Sequence, residues 1–258
     1  MLQSTFYVFK VILHCQHALE TTEGTIVIRS PSGDTDIIII ALALLESSRV
    51  FFDNGTGKYR KRFWLHNVKI DNDVRKAIIG LHSFSGNDYV SSFFKKGKRV
   101  LFKMMKSKQG FIDIFIKLGS SWDIDEFDLA DLEEFVCHLY GSKDKDINDV
   151  RRKLFDKKYL KEGKIIDLSL LPPCQSVLNL HSLRANFVAK VWKSAKISQI
   201  DFPSICNHGW KQNGEISWTD HPFPERIEEI LLDPKYEEQY CSIQEIDDLD
   251  NSDEEEDY

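Results

Sequence analysis

"TIVIRSPSGDTDIIIIALALL", Thr25–Leu45, is the stretch on which the fold turns. Its first residues are β-branched and of strand length. Ser30, Pro31, Ser32 and Gly33 then break that run. The run from Ile37 to Leu45 is apolar on every side, so periodicity alone does not separate a helix from a second strand. The Asp-Thr-Asp start and the Ala-Leu-Ala-Leu-Leu end favour a buried helix. "RVFFD", residues 49–53, reads as the next strand, and "NGTGKYRKRFWLHNVKI", residues 54–70, as a turn plus an extended segment. Upstream, Val11, Ile12, Cys15 and Leu19 have helical spacing. This alternation predicts an α/β domain with a mainly parallel sheet.

From Asp71 the pattern becomes helical. "DNDVRKAIIGLH" predicts a helix capped by Asp71 or Asn72, and "SFSGNDY" ends it. "VSSFFKKGKRVLFKMMKSK", residues 90–108, predicts two short helices around "KKGK". Helical spacing returns in 111–119, 125–141, 146–159 and, after two prolines, up to Ala195. The expected organisation is therefore a partial α/β domain over 1–118 and a helical extension over 119–200. An irregular segment rich in Trp and Pro comes next over 201–243, then an acidic tail over 244–258.

That tail changes the meaning of the net charge. The last fifteen residues, "QEIDDLDNSDEEEDY", hold nine acidic side chains and no Lys or Arg, so the formal −7 becomes +2 for residues 1–243. A slightly basic body with 42% hydrophobic residues can build a core, while the tail is expected to be disordered and to attract a basic protein partner. Ser252 within "SDEEED" matches an acid-directed kinase site. Cys15, Cys137, Cys174, Cys206 and Cys241 include no C-x-x-C pair, which excludes zinc spacing. Their odd number argues for reduced thiols and an intracellular location, nuclear or cytoplasmic. No apolar run reaches the length of a membrane span. The eight histidines, His14 and His17 included, show no metal-ligand spacing, and no phosphate loop occurs.

Two sets of residues carry chemistry. Asp34 and Asp36 stand just past a strand, where open α/β sheets bind ligands, and such a close carboxylate pair favours a cation. Asp88, beside Gly86, supplies a third acid. Mg²⁺, or Mn²⁺ in its place, prefers such oxygen ligands. Equally, Asp34 and Asp36 suit a helix cap and first turn, and Asp88 suits a turn. Lys95, Lys96, Lys98 and Arg99 flank Gly97 at a break before a helix, an arrangement suited to phosphate or to a solvated face. "KYRKR", residues 58–62, carries the same two readings.

"RSPSGDTDIIII" with "GLHSFSGNDYVSSFFKKGKRVLFKMM" some fifty residues later resembles the flap-endonuclease-like branch of the PIN nuclease superfamily, over about residues 24–118. The whole chain also resembles a set of invertebrate proteins without assigned activity, some linked to mobile elements. It shares "SPSGDTDI", "EEFVCHLYG" and "SLLPPC" with them. The nuclease resemblance implies a PIN-like Rossmannoid fold and metal-dependent hydrolysis of nucleic-acid phosphodiesters, DNA before RNA. It makes Asp34, Asp36 and Asp88 catalytic metal ligands and Lys95, Lys96, Gly97, Lys98 and Arg99 a grip on the DNA backbone. One departure stands out: Thr5, Phe6, Tyr7 and Val8 occupy the place where the family carries an acidic "E-E-A-D" motif. Three aspartates suit one ion better than two. The chain is therefore expected to be an N-terminally shortened or derived copy. The alternatives are a non-catalytic nucleic-acid-binding protein and a protein-interaction scaffold.

Overall fold

The computed structural model describes residues 20–22, 25–30, 35–45, 49–55, 57–162, 167–197 and 199–220. The helix expected over 11–19, His14 and His17, Asp34, and everything beyond 220, the acidic tail included, lie outside them. The chain divides into units Met1–Thr219 and Asp220–Tyr258, and all the described helices and strands belong to the first.

The fold is mixed α/β. Strands β1 (Glu20–Thr22), β2 (Thr25–Ser30), β3 (Arg49–Asn54) and β4 (Lys61–Trp64) form one sheet in that order. Helix α1 (Thr35–Leu44) connects β2 to β3. A parallel pair needs such a crossover, and β2–β3 is the parallel pairing. The other two pairings are antiparallel, so the described sheet is mixed where a mainly parallel one was expected. The reason is local. β4 comes after β3 through a short turn at Gly55 and Gly57, and a chain that doubles back in so few residues must pair antiparallel.

Asp53 fastens this hairpin. Its carboxylate accepts Arg60 Nε at 2.6 Å and a second Arg60 nitrogen, with Arg62 Nε at 3.4 Å. The Arg60 hydrogen bond holds the Asp53 carboxyl down at about 2. Two cations of the "KYRKR" patch thus serve the hairpin itself. Cross-strand pairs Phe51–Trp64 and Phe52–Phe63 add aromatic contact at 5.0 and 5.6 Å between centroids. Ile28, Ile37, Ala41, Val50, Phe52, Leu65 and Ile78 form the core between sheet and helices.

The larger core surrounds α2 (Asn72–Phe84), started by Asp71, whose side chain accepts from the Asp73 and Val74 amides. Every α2 residue from Ala77 to Phe84 is buried. Packed on it are α1, α3 (Lys98–Met105), α4 (Gln109–Lys117) and α7 (Gln175–Lys193). Outside them lie α5 (Glu126–Leu139) and α6 (Ile147–Glu162). Gly80 lets α4 approach: a Cβ there would stand 2.3 Å from the Phe115 carbonyl oxygen. One core runs from Ile40 to Trp210.

Helix α7 ties down the loops with polar side chains. Asn186 Oδ1 accepts the Gly119 amide at 2.7 Å, and Lys193 Nζ donates to the Ile116 and Leu118 carbonyls, both at 2.7 Å. The two lysine bonds satisfy carbonyls at the C-terminal end of α4, and the asparagine satisfies the amide that follows. Arg184 Nη1 donates to the Gly209 carbonyl at 3.0 Å and its guanidinium lies over Trp218. The segment after 200, expected to be irregular, thereby forms a hairpin of β5 (Trp210–Asn213) and β6 (Glu215–Trp218). Asn213-Gly214, with Gly214 at φ 83°, is its turn signal. Around "KKGK" only α3 is helical. Phe93 is buried, and Lys95 takes φ 56°, which stops a helix from running through 91–97.

This packing carries two expected outcomes. Gly80→Ala should lower stability by about 3 kcal/mol, because the overlap is with rigid backbone, and a urea melt will read it. His181 is fully enclosed between Phe84 and Phe93, with Nε2–H donating to Phe84 O and Nδ1 accepting from Ser91 Oγ. Burial holds it neutral, down to about 4 from 6.5. The unfolded chain binds the extra proton first, so this stabilisation is complete above the ordinary histidine range. It falls as pH drops from 6.5 towards 4, by up to roughly 3 kcal/mol. Buried His208, lowered by burial too, acts in the same direction. Melts across that window should show the decline, and His181→Gln should flatten it.

Candidate functional site

Three segments meet at the C-terminal end of α2. Asp36 sits in the first turn of α1, just beyond the carboxyl end of β2. His82 lies in the last turn of α2 and is 6% exposed. A polar ring so deeply placed needs partners for both nitrogens. Asp36 Oδ1 lies 2.5 Å from His82 Nε2, and Lys98 Nζ lies 3.1 Å from His82 Nδ1. An ammonium donates and does not accept, so Nδ1 carries the lone pair and Nε2–H points to the carboxylate. The order is therefore carboxylate, imidazole, ammonium. Trp192 of α7 stacks on the ring at 5.4 Å, fixing its plane.

Lys98 also donates to the Gly86 carbonyl at 2.7 Å. Gly86 adopts φ +105°, and a Cβ there would stand 2.7 Å from the Ser92 Cβ, so glycine is required to bring this carbonyl into place. Asp88 sits in a tight turn, in which Asn87 and Val90 exchange backbone bonds and Asn87 Oδ1 accepts the Tyr89 amide. Asp88 itself is exposed. Burial of the Lys98 amine pushes its pKa down, while Asp36 and Asp88 oppose the fall. Both carboxylates thus act on one amine, although 52 residues separate them in sequence. Asp34 is outside the described residues.

The basic turn divides in two. Lys98, read from sequence as part of an outward grip, directs its amine inward even though the rest of the residue is exposed. Lys95 and Arg99 are exposed, and Lys96 is half-buried with its amine over the Tyr140 ring. Lys95 lies over the ring of Phe94, itself 46% exposed, and within the field of Asp167. Gly97 is the N-cap of α3 and supplies no side chain to its first turn; a Cβ there would meet nothing within 4 Å. The backbone at this helix start is consequently open to approach. Beside it, a cavity of about 400 Å³ opens between α1, α2 and α3, with Ile39, Ile78, Leu81 and Phe102 as walls and Arg99 and Lys103 at the rim.

Whether these groups suit Mg²⁺ or Mn²⁺ depends on the oxygens they present. Mg²⁺ takes near-octahedral oxygen ligands. Among the described residues no three His, Cys, Asp or Glu side chains share reach of one ion. Asp36 spends one oxygen on His82, and a lysine amine stands among the acids. The described residues do not fit an oxygen-lined two-ion centre. Sequence reasoning passed over His82, yet a signal existed: it is a lone ionisable side chain inside the apolar run "AIIGLHSF".

No protein-family model, curated protein or solved structure matches the chain. Among the described residues, no helix is long and apolar enough to cross a membrane.

If carboxylate, ring and ammonium act as one unit, their energies will not add. Asp36→Asn and Lys98→Gln should each destabilise by about 1–2 kcal/mol, and the double variant should depart from their sum by at least about 0.5 kcal/mol. Additive urea-denaturation energies would show the two contacts to be independent.

Proposed function

We propose that this chain derives from a divalent-metal-dependent, structure-specific nuclease and binds the phosphodiester backbone of nucleic acid, DNA before RNA, without hydrolysing it. The observation that carries this reading is the open start of α3. Lys95 and Arg99 stand exposed on either side of Gly97, which is exposed too and has open space where a side chain would stand. Phosphate oxygens accept hydrogen bonds from free backbone N–H groups and gain Coulomb energy from flanking cations. Exposed Phe94, next to Lys95, offers a face on which an unpaired base can stack. The resemblance to flap-endonuclease-like proteins supports a PIN-like origin and a preference for DNA, since the matching turn in that branch grips the DNA backbone.

The engagement of Asp36 with His82 speaks against hydrolysis, because that carboxylate already serves a buried neighbour. If catalysis were retained, Asp34, Asp36 and Asp88 are the residues to hold Mg²⁺ or Mn²⁺, which would supply Lewis acidity at phosphorus.

Fluorescence anisotropy with flap and hairpin DNA in EDTA decides the matter. Binding should weaken linearly on a log–log plot against salt, and Lys95→Ala and Arg99→Ala should each lower the slope by about 1. Gly97→Ala should weaken binding while leaving the thermal midpoint close to that of the wild type, because φ −70° and open space accept a methyl group. No salt-sensitive binding in EDTA would overturn the proposal. Metal-dependent cleavage abolished by Asp36→Asn would replace it with the hydrolytic reading.

A further inference from the structure

We propose that the Lys98 ammonium is the resident cation of this site, occupying the position beside His82 Nδ1 and the Gly86 carbonyl that a divalent ion would otherwise fill, and excluding one. The order of groups carries the inference. In metal centres a ligating histidine donates its other ring N–H to a carboxylate, which fixes the tautomer and the ring plane. Asp36 Oδ1 at 2.5 Å from Nε2 reproduces that outer contact, and Trp192 stacking holds the plane. At the opposite nitrogen, 3.1 Å away, stands a lysine amine in place of a metal ion.

The remaining surroundings of Nζ are those of a cation site. Gly86 O faces it at 2.7 Å, and the fields of Asp36 and Asp88 favour its charge against the effect of burial. Gly86 is held in a conformation, φ +105°, that few other residues adopt, so the carbonyl is aimed and not incidental. Arg99, at the rim of the adjoining cavity, adds a second positive charge that disfavours entry of a divalent ion. Asp36 on this view orients His82 and is not a direct metal ligand, which departs from the role its sequence position implied. The cation is tethered to the chain, so no chelator can remove it.

Removing the amine should expose the site. An imidazole nitrogen and a backbone carbonyl, 3.1 and 2.7 Å from the amine, make a mixed N/O donor pair completed by water, better matched to Zn²⁺ or Mn²⁺ than to Mg²⁺. Zn²⁺ and Mn²⁺, each alone, are to be titrated by calorimetry and by Mn²⁺ paramagnetic resonance into the full chain and its Lys98→Ala variant. The variant should bind one more equivalent than the wild type. Adding Asp36→Asn should weaken that extra site about 10–100-fold, and adding His82→Gln should abolish it. A wild type that binds the same number of ions with the same affinity as folded Lys98→Ala would overturn the proposal, as would a folded Lys98→Ala that gains no site. Should Lys98→Ala fail to fold, Lys98→Gln keeps the length without the charge. Zn²⁺ should then raise its thermal midpoint with rising concentration while leaving the wild type unmoved, and equal shifts would refute the idea. These assays contain no nucleic acid, so their failure leaves backbone binding untouched, and failure of backbone binding leaves them untouched.

Discussion

A histidine buried at the end of the most enclosed helix governs the arrangement around it. His82 is 6% exposed and cannot turn to water, so each ring nitrogen must find a partner within the protein. Asp36 meets one and Lys98 the other. Because those partners begin α1 and α3, the pairing sets how both helices meet α2. Trp192 closes the ring from α7, bringing a fourth helix to the same point. An apolar side chain of the same shape would take a hydrogen-bond partner from a carboxylate and from an amine at once, the more costly outcome.

The surrounding architecture makes that end of α2 rigid. Gly80 allows α4 to lie against α2 at backbone distance, and aromatic edges from Phe84, Phe115 and Phe135 fill the space beneath. Asn186, Lys193 and Arg184 on α7 then satisfy carbonyl and amide groups in the loops that this core leaves uncovered. The mixed sheet packs against the same layer of helices through Ile37, Ala41 and Ile78. The start of α3 is therefore presented from a fixed platform, while Lys95, Gly97 and Arg99 remain open on its surface. For the backbone contact proposed above, a rigid support confines the ordering cost to the exposed side chains themselves.

Much of the element order was legible from local pattern. The β-branched run at 25–30 and the segment "RVFFD" from Arg49 are strands, and the apolar run from Thr35 is the helix its Asp-Thr-Asp start implied. Asp71 caps α2 as its position suggests. The missed features have local causes too: Asn213-Gly214 is a hairpin turn hidden in a segment rich in Pro and Trp, and Lys95 with φ 56° breaks a stretch whose composition favours helix. The antiparallel partner of β3 results from the brevity of the turn between them.

What the sequence determined by itself was the inventory. It set a pair of carboxylates past a strand end and a third after a helix, a basic turn around Gly97, and a lone histidine in an apolar run. Which of these touch was decided by tertiary structure alone. Asp36 and His82 are 46 positions apart, and His82 and Lys98 are 16 apart, so no periodicity links them. A lysine in a basic turn ordinarily keeps its charge in water. Lys98 turns inward because a buried ring nitrogen and an aimed carbonyl accept its protons while two carboxylates favour its charge, and that combination exists only after the chain has folded.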